Sequence, residues 1–599
     1  MIYHCEDHTC NYWDEGEKLP ERCPQCGRKL LRANEADMTG DDWTALGNTL
    51  WYAEASDKKR MVDCFRKAAY LGSAWGVCNL GICMEQGNGV EADPVQAFWL
   101  YQQAVEMGSL NAVCCLGVCY QYGIGTAPDA EKAAELYCKA AEYGSPRGQM
   151  LLAHAFHDGI GVEADAAEAV HWVRAAAYQR YGEGMHRLGV CYEYGDGVEQ
   201  NWEHAVHWFR EAAESGVSVA MTDLGYCYEK GCGVEQSWEQ AFSWYRRGAE
   251  CGYPVSMSNL GLCYKRGYGV DQNWQEAIKW YEQGAQCGDL QSMHNLACCY
   301  ERGEGVEQNE ERALYWYRRS AEGGNGGAMY NLGRCYKMGH GVEQNWQEAV
   351  KWYEQGAQCG NLQSMHNLAC CYEHGEGVEQ NMTEAIRWYT AAAEGGNVDD
   401  MYELGWQYDH GEGVEQDMKK AICWYERAAE QNHPAAMNSL GECYAMGRGV
   451  PRDLETAMEW YRRAAELGEA MADYNMGWHL EQAGKLSEAY AHYRKAADGN
   501  DDSAWWALGR FYENGVVVAQ DGKEARRCYE TGEKLGSVKC KMRLARCKLL
   551  GIGGRREKKA GLDLCRQALE LAKESSEKED YGYEAEMNLL RRTIAENES

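Results

Sequence analysis

Residues 256–288 read SMSNLGLCYKRGYGVDQNWQEAIKWYEQGAQCG and contain the pattern that decides the fold. In the first half, Met257, Leu260 and Tyr264 recur at spacings of three and four residues. Such spacing places apolar side chains on one face of an α-helix. Gly267 follows this helix directly, where glycine accepts the left-handed backbone that ends many helices. The first half therefore predicts one amphipathic helix that ends at a glycine.

The second half of this stretch predicts another helix, over residues 274–286. Ala277, Trp280 and Ala285 recur there at helical spacing. Asn273 precedes the helix and is a favourable N-cap residue, because its side chain can accept a hydrogen bond from a free backbone amide. The whole stretch is thus predicted to form two helices joined by a Gly-x-Gly-Val loop.

This unit repeats along most of the chain, and the dipeptide Leu-Gly or Leu-Ala marks each copy. Its first residue, which we call the anchor, recurs every 36 residues at Leu80, Leu116, Leu152, Leu188, Leu224, Leu260, Leu296, Leu332, Leu368, Leu404, Leu440 and Met476. Leu46, Leu508 and Leu544 extend the series at slightly different steps. A single helix pair cannot bury its apolar face, whereas a stack of pairs can. We therefore predict an all-α solenoid over residues 40–555, with about 14 to 15 antiparallel helix pairs.

The repeated residues resemble the Sel1-like repeat, a relative of the tetratricopeptide repeat. The matching pattern is Ala-Met-x-x-Leu-Gly-x-Cys-Tyr, then Gly-x-Gly-Val, then Glu-Ala-x-x-Trp-Tyr-x-x-Ala-Ala-Glu-x-Gly, nearly whole from Leu188 to Gly216. The unit anchored at Met476 lacks the Gly-x-Gly-Val loop, and the next unit has Gly515-Val-Val-Val in its place. The resemblance implies a right-handed superhelix that binds protein partners, and it does not imply an enzyme; we therefore expect a non-enzymatic protein.

Composition excludes several classes of function. The chain has 599 residues, with 60 Lys and Arg against 92 Asp and Glu, and a net charge of −32. Such an acidic protein repels phosphate backbones and anionic membranes, so we expect neither nucleic acid nor membrane as a partner. The N-terminus lacks the pattern of a signal peptide, and a cytoplasmic location is predicted. Most of the 29 cysteines recur at fixed repeat positions and are predicted to be reduced and buried.

Residues 1–32 depart from the repeat and contain four cysteines, at Cys5, Cys10, Cys23 and Cys26. Two pairs of thiolates on two turns suit tetrahedral coordination of a metal ion. His8 is an alternative to Cys10 as the second ligand. We predict one structural Zn²⁺ here, followed by a linker over residues 33–39.

The segment 10–27, CNYWDEGEKLPERCPQCG, resembles the rubredoxin-like zinc ribbons in its Pro-Glu approach and its Cys-Pro-x-Cys-Gly turn. It departs from them at the first turn, where four residues instead of two separate the cysteines and Asn11 replaces glycine. The resemblance leaves open an iron-containing electron carrier as the alternative to structural zinc. A closed site of four thiolates has no open position for a substrate.

The sequence gives no support for catalysis. The Gly-x-Gly loops follow no strand and precede no Gly-Lys-Ser/Thr, so they are predicted to be helix-pair turns. Some relatives have been linked to penicillin binding, which makes a β-lactamase-like hydrolase the rival function. A Ser-x-x-Lys motif occurs at Ser56 and at Ser575, but without the accompanying motifs of such enzymes. No Ser/His/Asp or Cys/His triad is indicated by spacing.

The C-terminal part has a distinct charge. From residue 521 to 559, 13 basic residues face 5 acidic ones, and Lys539, Lys541, Arg543, Arg546 and Lys548 surround the last repeat helix. Two interpretations stay open: a surface that binds an acidic partner, or a terminal face that pairs with the acidic body. Residues 556–599 are predicted to be capping helices, which solenoids need for solubility.

Partner binding is predicted on the first helices, which line the concave face in tetratricopeptide-like stacks. Positions −2, +2 and +6 relative to the anchor are four residues apart and form one line on the helix, which we call the first-helix stripe. Aromatic residues and Arg, which are common at binding hot spots, occur there together with His. The predicted partner-binding residues are Tyr226, Tyr330, Arg334, His366, Tyr402, Trp406, Tyr474 and Trp478. Alternatively, these side chains belong to the core between neighbouring repeats.

Two parts of the chain are near-copies of each other. Residues 273–309 and 345–381 differ at only three positions, so two units were duplicated together. His366, Cys370 and His374 on the stripe could also bind a metal ion, but the first copy has Arg302 in place of the second histidine.

Overall fold

The computed structural model describes residues 2–5, 13–15, 30–33, 35–51, 58–578 and 584–598. The chain divides into two compact units, Met1–Asn309 and Glu310–Ser599. Unit 1 begins with three short strands, β1 (Ile2–Cys5), β2 (Trp13–Glu15) and β3 (Leu30–Ala33). They form an antiparallel sheet with β1 in the centre, between β2 and β3.

The rest of unit 1 is helical. Its α-helices are α1 (Gly40–Leu50), α2 (Lys58–Tyr70), α3 (Ala74–Gln86), α4 (Pro94–Glu106), α5 (Leu110–Tyr122), α6 (Ala130–Glu142), α7 (Pro146–Asp158), α8 (Ala166–Tyr178), α9 (Gly182–Tyr194), α10 (Trp202–Glu214), α11 (Ser218–Lys230), α12 (Trp238–Glu250), α13 (Pro254–Arg266), α14 (Trp274–Gln286) and α15 (Leu290–Arg302). Within this unit, consecutive helices pack against each other from α1 to α15.

The described part of unit 2 consists of helices. They are α16 (Glu310–Glu322), α17 (Gly326–Met338), α18 (Trp346–Gln358), α19 (Leu362–His374), α20 (Met382–Glu394), α21 (Val398–His410), α22 (Met418–Glu430), α23 (Pro434–Met446), α24 (Leu454–Glu466), α25 (Ala470–Gln482), α26 (Leu486–Asp498), α27 (Asp502–Asn514), α28 (Gly522–Lys534), α29 (Val538–Leu550), α30 (Lys558–Lys578) and α31 (Glu584–Glu598). Consecutive helices again pack against each other.

The predicted all-α solenoid of paired helices is confirmed. The helix predicted over residues 274–286 is α14, and Asn273 caps it by accepting hydrogen bonds from the amides of Gln275 and Glu276. First helices also contact the first helices of neighbouring pairs, as α13 does with α15 and α17 with α19. The first helices of each unit therefore form one layer, which carries the first-helix stripe.

The second residue of the anchor dipeptide is glycine in most pairs because a tyrosine of the second helix packs on it. A Cβ atom added to Gly261 would lie 2.5 Å from the Tyr281 ring, and one added to Gly405 would lie 2.5 Å from the Tyr425 ring. Both tyrosines are at most 1% exposed. The absence of a side chain at the glycine thus lets the two helices of a pair approach each other closely.

The Gly-x-Gly loops are the turns between first and second helices, as predicted. The first glycine caps the helix in the left-handed region, for example at Gly267 with φ of 74°. The second approaches the preceding pair so closely that a Cβ at Gly269 would overlap the carbonyl oxygen of Trp238. In the variant loop after α27, Val517 takes a φ of 63° at this second position. The unit anchored at Met476 has a three-residue turn between α25 and α26 instead.

The prediction that the repeat cysteines are buried is confirmed for those three residues after an anchor and wrong for Cys251, Cys287 and Cys359, which share another repeat position and are exposed. All cysteines from Cys64 onward are free, and those three residues after an anchor, such as Cys263 and Cys371, are buried. Burial raises the pKa of the Cys263 and Cys371 thiols to about 12, so both stay protonated at neutral pH. They act as small apolar side chains in the core.

The basic residues near the C-terminus form ion pairs with acidic residues of neighbouring helices. Arg543 on α29 makes two hydrogen bonds, of 2.7 and 2.6 Å, to the carboxylate of Glu586 on α31. Arg546 pairs with Glu513 on α27, which also accepts a hydrogen bond from Tyr529. These pairs favour the second interpretation, a terminal face that pairs with the acidic body.

We predict that Gly405→Ala destabilises unit 2 by about 1–3 kcal/mol, because the new methyl group forces the Tyr425 ring out of its position. Gly326→Ala is the matched control, since its Cβ would lie 3.3 Å from the nearest side-chain atom and alanine favours a helix. Urea denaturation monitored by circular dichroism measures the free energy of unfolding of both variants. Equal midpoints for the two variants would contradict the role given to this contact.

Candidate functional site

The first-helix stripe of unit 2 rests on the buried tyrosines of the second helices. In four pairs of this unit, the side chain at position −2 packs against the tyrosine that contacts the anchor glycine or alanine. Ring centroids are 5.9 Å apart for Tyr402 and Tyr425, and 5.9 Å for His366 and Tyr389. The predicted residues Tyr330 and Tyr474 make the same contact, with Tyr353 at 6.3 Å and Tyr493 at 5.6 Å. The −2 residues are therefore partly buried and fixed in orientation.

The hydroxyl groups of the buried tyrosines make a second recurring contact, a hydrogen bond to a glutamate of the first helix. Tyr389 donates a hydrogen bond of 2.7 Å to Glu373, which lies five residues after the anchor. Tyr245 donates in the same way to Glu229 at 2.9 Å. In the helix pair that contains Tyr353, the residue five positions after the anchor is Lys337, whose side chain is a donor and cannot accept a hydrogen bond. The buried Tyr353 hydroxyl has no hydrogen-bond partner among the described residues.

Side chains at position +2 are more accessible than those at −2. Trp478 is 38% exposed, and Tyr226 in unit 1 is 45% exposed. Trp406 and Arg334 are partly buried, and the Trp406 ring stacks on His410 at position +6 with centroids 4.4 Å apart. The alternative of a wholly buried core therefore does not describe these positions, although the −2 side chains contribute to packing.

The structure adds stripe residues that were not predicted. Trp506 and Arg510 occupy positions −2 and +2 of the pair anchored at Leu508, and the guanidinium carbon of Arg510 lies 4.6 Å from the Trp506 ring centroid. Arg510 also donates a hydrogen bond of 2.9 Å to Glu481. Their positions relative to the anchor Leu508 would have identified both residues from the sequence.

One cluster on the stripe combines a thiol, an imidazole and a buried carboxylate. His366 Nδ1 lies 2.6 Å from Oδ1 of Asp400, and its Nε2 lies 3.6 Å from Sγ of Cys370. Asp400 belongs to the next pair and is 0% exposed. The Tyr389 hydroxyl lies 3.3 Å from Sγ of Cys370. No Cys/His triad was predicted, because Asp400 comes from a different repeat and no local spacing reveals it.

The two copies of the duplicated segment place this histidine in opposite environments. The hydrogen bond to Asp400 raises the pKa of His366 to about 10. In the other copy, burial lowers the pKa of His294 to about 4. In the sequence, Ala328 stands where the second copy has Asp400. A single change from alanine to aspartate thus accompanies a reversed charge state of the same histidine.

Carboxylates on the first helices of unit 2 are also partly removed from water. Burial raises the pKa of Glu403 and of Glu442, and that of Asp501 to about 6. Glu442 accepts a hydrogen bond of 3.1 Å from Asn475 on the following pair. Partly desolvated carboxylates of this kind gain from an added positive charge.

The predicted metal and catalytic residues fall mostly outside the described residues. This holds for His8, Cys10, Cys23, Cys26 and Ser56, while Cys5 is described by its place at the end of β1 and Ser575 by its place in α30. Among the described residues, no group of three or more His, Cys, Asp or Glu side chains could hold a metal ion, including the set around His374. No helix in the described ranges has both the length and the apolar composition to cross a membrane.

Comparison with known proteins identifies the class as helical repeat proteins, and within it one family. The Sel1 repeat model matches residues 76–109, 112–145, 146–181, 182–217, 218–253, 254–289, 290–325, 327–361, 362–397, 398–433, 434–469, 470–501, 504–537 and 538–573. The chain therefore belongs to the Sel1 repeat family. No curated protein matches it.

Two solved structures are similar to this chain. A protective antigen present in uropathogenic Escherichia coli strains, which displays an SLR fold, is 31% identical, covers 75% of this chain and 97% of its own, and has a TM-score of 0.49. A Sel1 repeat protein from Oxalobacter formigenes is 33% identical, covers 41% of this chain and 96% of its own, and has a TM-score of 0.38.

We predict that His366 and His294 titrate several pH units apart in the folded protein. His366 should keep its second proton until about pH 10, and His294 should be neutral above about pH 4. Because the folded pKa of His366 exceeds its usual 6.5, its contribution to stability is full below pH 6.5 and is lost as the pH rises to about 10.

Nuclear magnetic resonance of histidine-labelled protein, with each signal assigned by a His→Gln variant, measures both values. Asp400→Asn should lower the pKa of His366 towards 6.5, because it removes the carboxylate charge and leaves a hydrogen-bond acceptor of the same size. Titration of both histidines together near pH 6.5 would contradict the assignment.

Proposed function

We propose that this protein is a non-enzymatic scaffold that binds protein partners along the first-helix stripe. The Sel1 repeat solenoid is a fold typically used for protein–protein interaction. The observation that carries the proposal is the combination of accessible +2 side chains with −2 rings fixed on buried tyrosines. Side chains that are already ordered lose little conformational entropy when a partner binds.

The partner segment that this surface suits is extended and basic. Tyr402 stacks on His433, the N-cap residue of α23, with centroids 4.8 Å apart, so its ring is held rigidly against the next helix pair. Glu403 and Glu442 lie on the same layer and gain from a Lys or Arg of the partner. The net charge of −32 attracts such a segment over longer distances. This attraction weakens as salt is added.

We predict that Trp406→Ala combined with Arg334→Ala weakens partner binding about 30-fold or more. Loss of a hot-spot aromatic residue costs about 2 kcal/mol or more, and truncation of Arg334 removes a side chain that can donate hydrogen bonds to backbone carbonyl groups of the partner. Affinity capture with the full chain from lysate of the source cells, read by quantitative mass spectrometry, compares the double variant with the wild type at two salt concentrations.

Tyr315→Ala is the matched control, because Tyr315 is an aromatic residue on the second helix α16 and is 53% exposed. It should retain the captured proteins that the double variant loses, and thermal melting of both variants should stay near that of the wild type. Undiminished capture by the double variant would place the binding site elsewhere. A large loss of stability would show that these side chains belong to the core.

We also propose that residues 1–32 bind one structural Zn²⁺ through Cys5, Cys10, Cys23 and Cys26. The support is the donor set itself, since four thiolates in two pairs are a common ligand set of structural zinc sites. β1 ends at Cys5 and pairs with β2 and β3, which lie on either side of it in an antiparallel sheet. The metal would fold a segment too short to have its own core.

We predict one zinc per chain in purified protein and its loss in Cys23→Ser. The repeats should remain folded, because the hydrophobic clusters of the described repeats are built from residues from Met38 onward. Elemental analysis with circular dichroism checks both statements, and Cys423→Ser, at an exposed cysteine, is the control for the loss of a thiol outside the segment. One equivalent of iron with thiolate-to-iron absorption would favour the electron carrier instead.

A further inference from the structure

The cluster of Cys370, His366 and Asp400 has an arrangement that partner binding does not use. An imidazole within reach of a thiol, and itself held by a carboxylate on its other nitrogen, is the geometry that activates a cysteine as a nucleophile. The distances are 3.6 Å from sulfur to Nε2 and 2.6 Å from Nδ1 to Oδ1. Asp400 is fully buried, and its Oδ2 atom has no hydrogen-bond partner in the part of the chain that the structure describes.

We propose that Cys370 is a reactive thiol that undergoes exchange with small cationic disulfides and so becomes a site of covalent modification. His366 holds a positive charge next to the sulfur and stabilises its thiolate. Asp400 is the positioning residue that orients His366. This inference does not rest on partner binding.

The reaction needs no oxidant beyond the disulfide itself. The Cys370 thiolate attacks one sulfur of the disulfide, a new sulfur–sulfur bond forms to Cys370, and the original one breaks. The departing thiolate takes up a proton from the His366 imidazolium or from water. The products are a mixed disulfide at Cys370 and one free small thiol, and exchange with a second thiol reverses the step.

Charge and access define the substrate class. Cys370 is partly buried, which restricts reaction to small molecules. Carboxylates of Glu373 and Glu403 lie around the cluster, where Glu373 accepts a hydrogen bond from Tyr389 and Glu403 is partly buried. A cationic disulfide is attracted to these groups, whereas an anionic one is repelled.

The duplicated segment supplies an internal control for this proposal. Cys298 has the same neighbour, His294, with Sγ 3.7 Å from its Nε2, and it is equally partly buried. Its copy of the segment is followed in sequence by Ala328 in place of Asp400. Burial also lowers the pKa of His294, so that histidine is uncharged at neutral pH and cannot stabilise a thiolate.

The test treats the full-length protein with limiting cystamine at neutral pH and quenches free thiols with N-ethylmaleimide. Fragment mass spectra then assign the mixed disulfide to each sulfur. We expect Cys370 to react roughly tenfold faster than Cys298, because the imidazolium of His366 next to its sulfur favours the thiolate that attacks the disulfide. An anionic disulfide, dithiodiglycolate, should reduce this preference.

Asp400→Ala and the isosteric Asp400→Asn distinguish activation from a structural role. Both should lower the rate at Cys370 roughly to that of Cys298, while the buried Cys371 stays unreactive. Mere loosening of the fold would raise the rates at Cys370 and Cys371 together. Equal rates at Cys370 and Cys298 in the wild type, or an unchanged or higher rate at Cys370 in both variants, would overturn the proposal.

Discussion

The contact between an anchor glycine and a buried tyrosine is the constraint on which the repeat depends. It brings the first and second helices of a pair together, as Gly405 and Tyr425 do, and leaves no room for a Cβ atom. The same tyrosine supports the −2 side chain of the stripe, here Tyr402. Changes to the core contact therefore alter the surface as well, which explains why aromatic residues recur at both positions.

The fold could be predicted from the sequence because this constraint recurs every 36 residues. Each copy repeats the same local signals, namely helical periodicity, an N-cap such as Asn273 and a glycine such as Gly267 with positive φ. Where one copy departs from the pattern, the other copies still predict the positions of its helices. Residues 1–32 occur once and lack this redundancy, so their metal remains a prediction based on ligand spacing alone.

The candidate site could be predicted only in part. The stripe follows from positions relative to the anchor, and the same positions also include Trp506 and Arg510, which were not among the predicted residues. The Asp400–His366 pair does not follow from any local rule, because its members lie in different repeats 34 residues apart. Likewise, the sequence left two interpretations of the basic residues around Arg543 open, and the pairing of Arg543 with Glu586 favours the terminal face that pairs with the acidic body.

Duplication explains how one scaffold can acquire a chemically distinct position without losing its fold. Residues 345–381 repeat residues 273–309 almost unchanged, so both copies carry a histidine four residues before a cysteine. The difference arises outside the copied segment, at Asp400, which meets His366 from the following pair. In a solenoid, each surface is shared by neighbouring repeats. The chemistry of a copied residue is therefore determined by the repeat placed next to it.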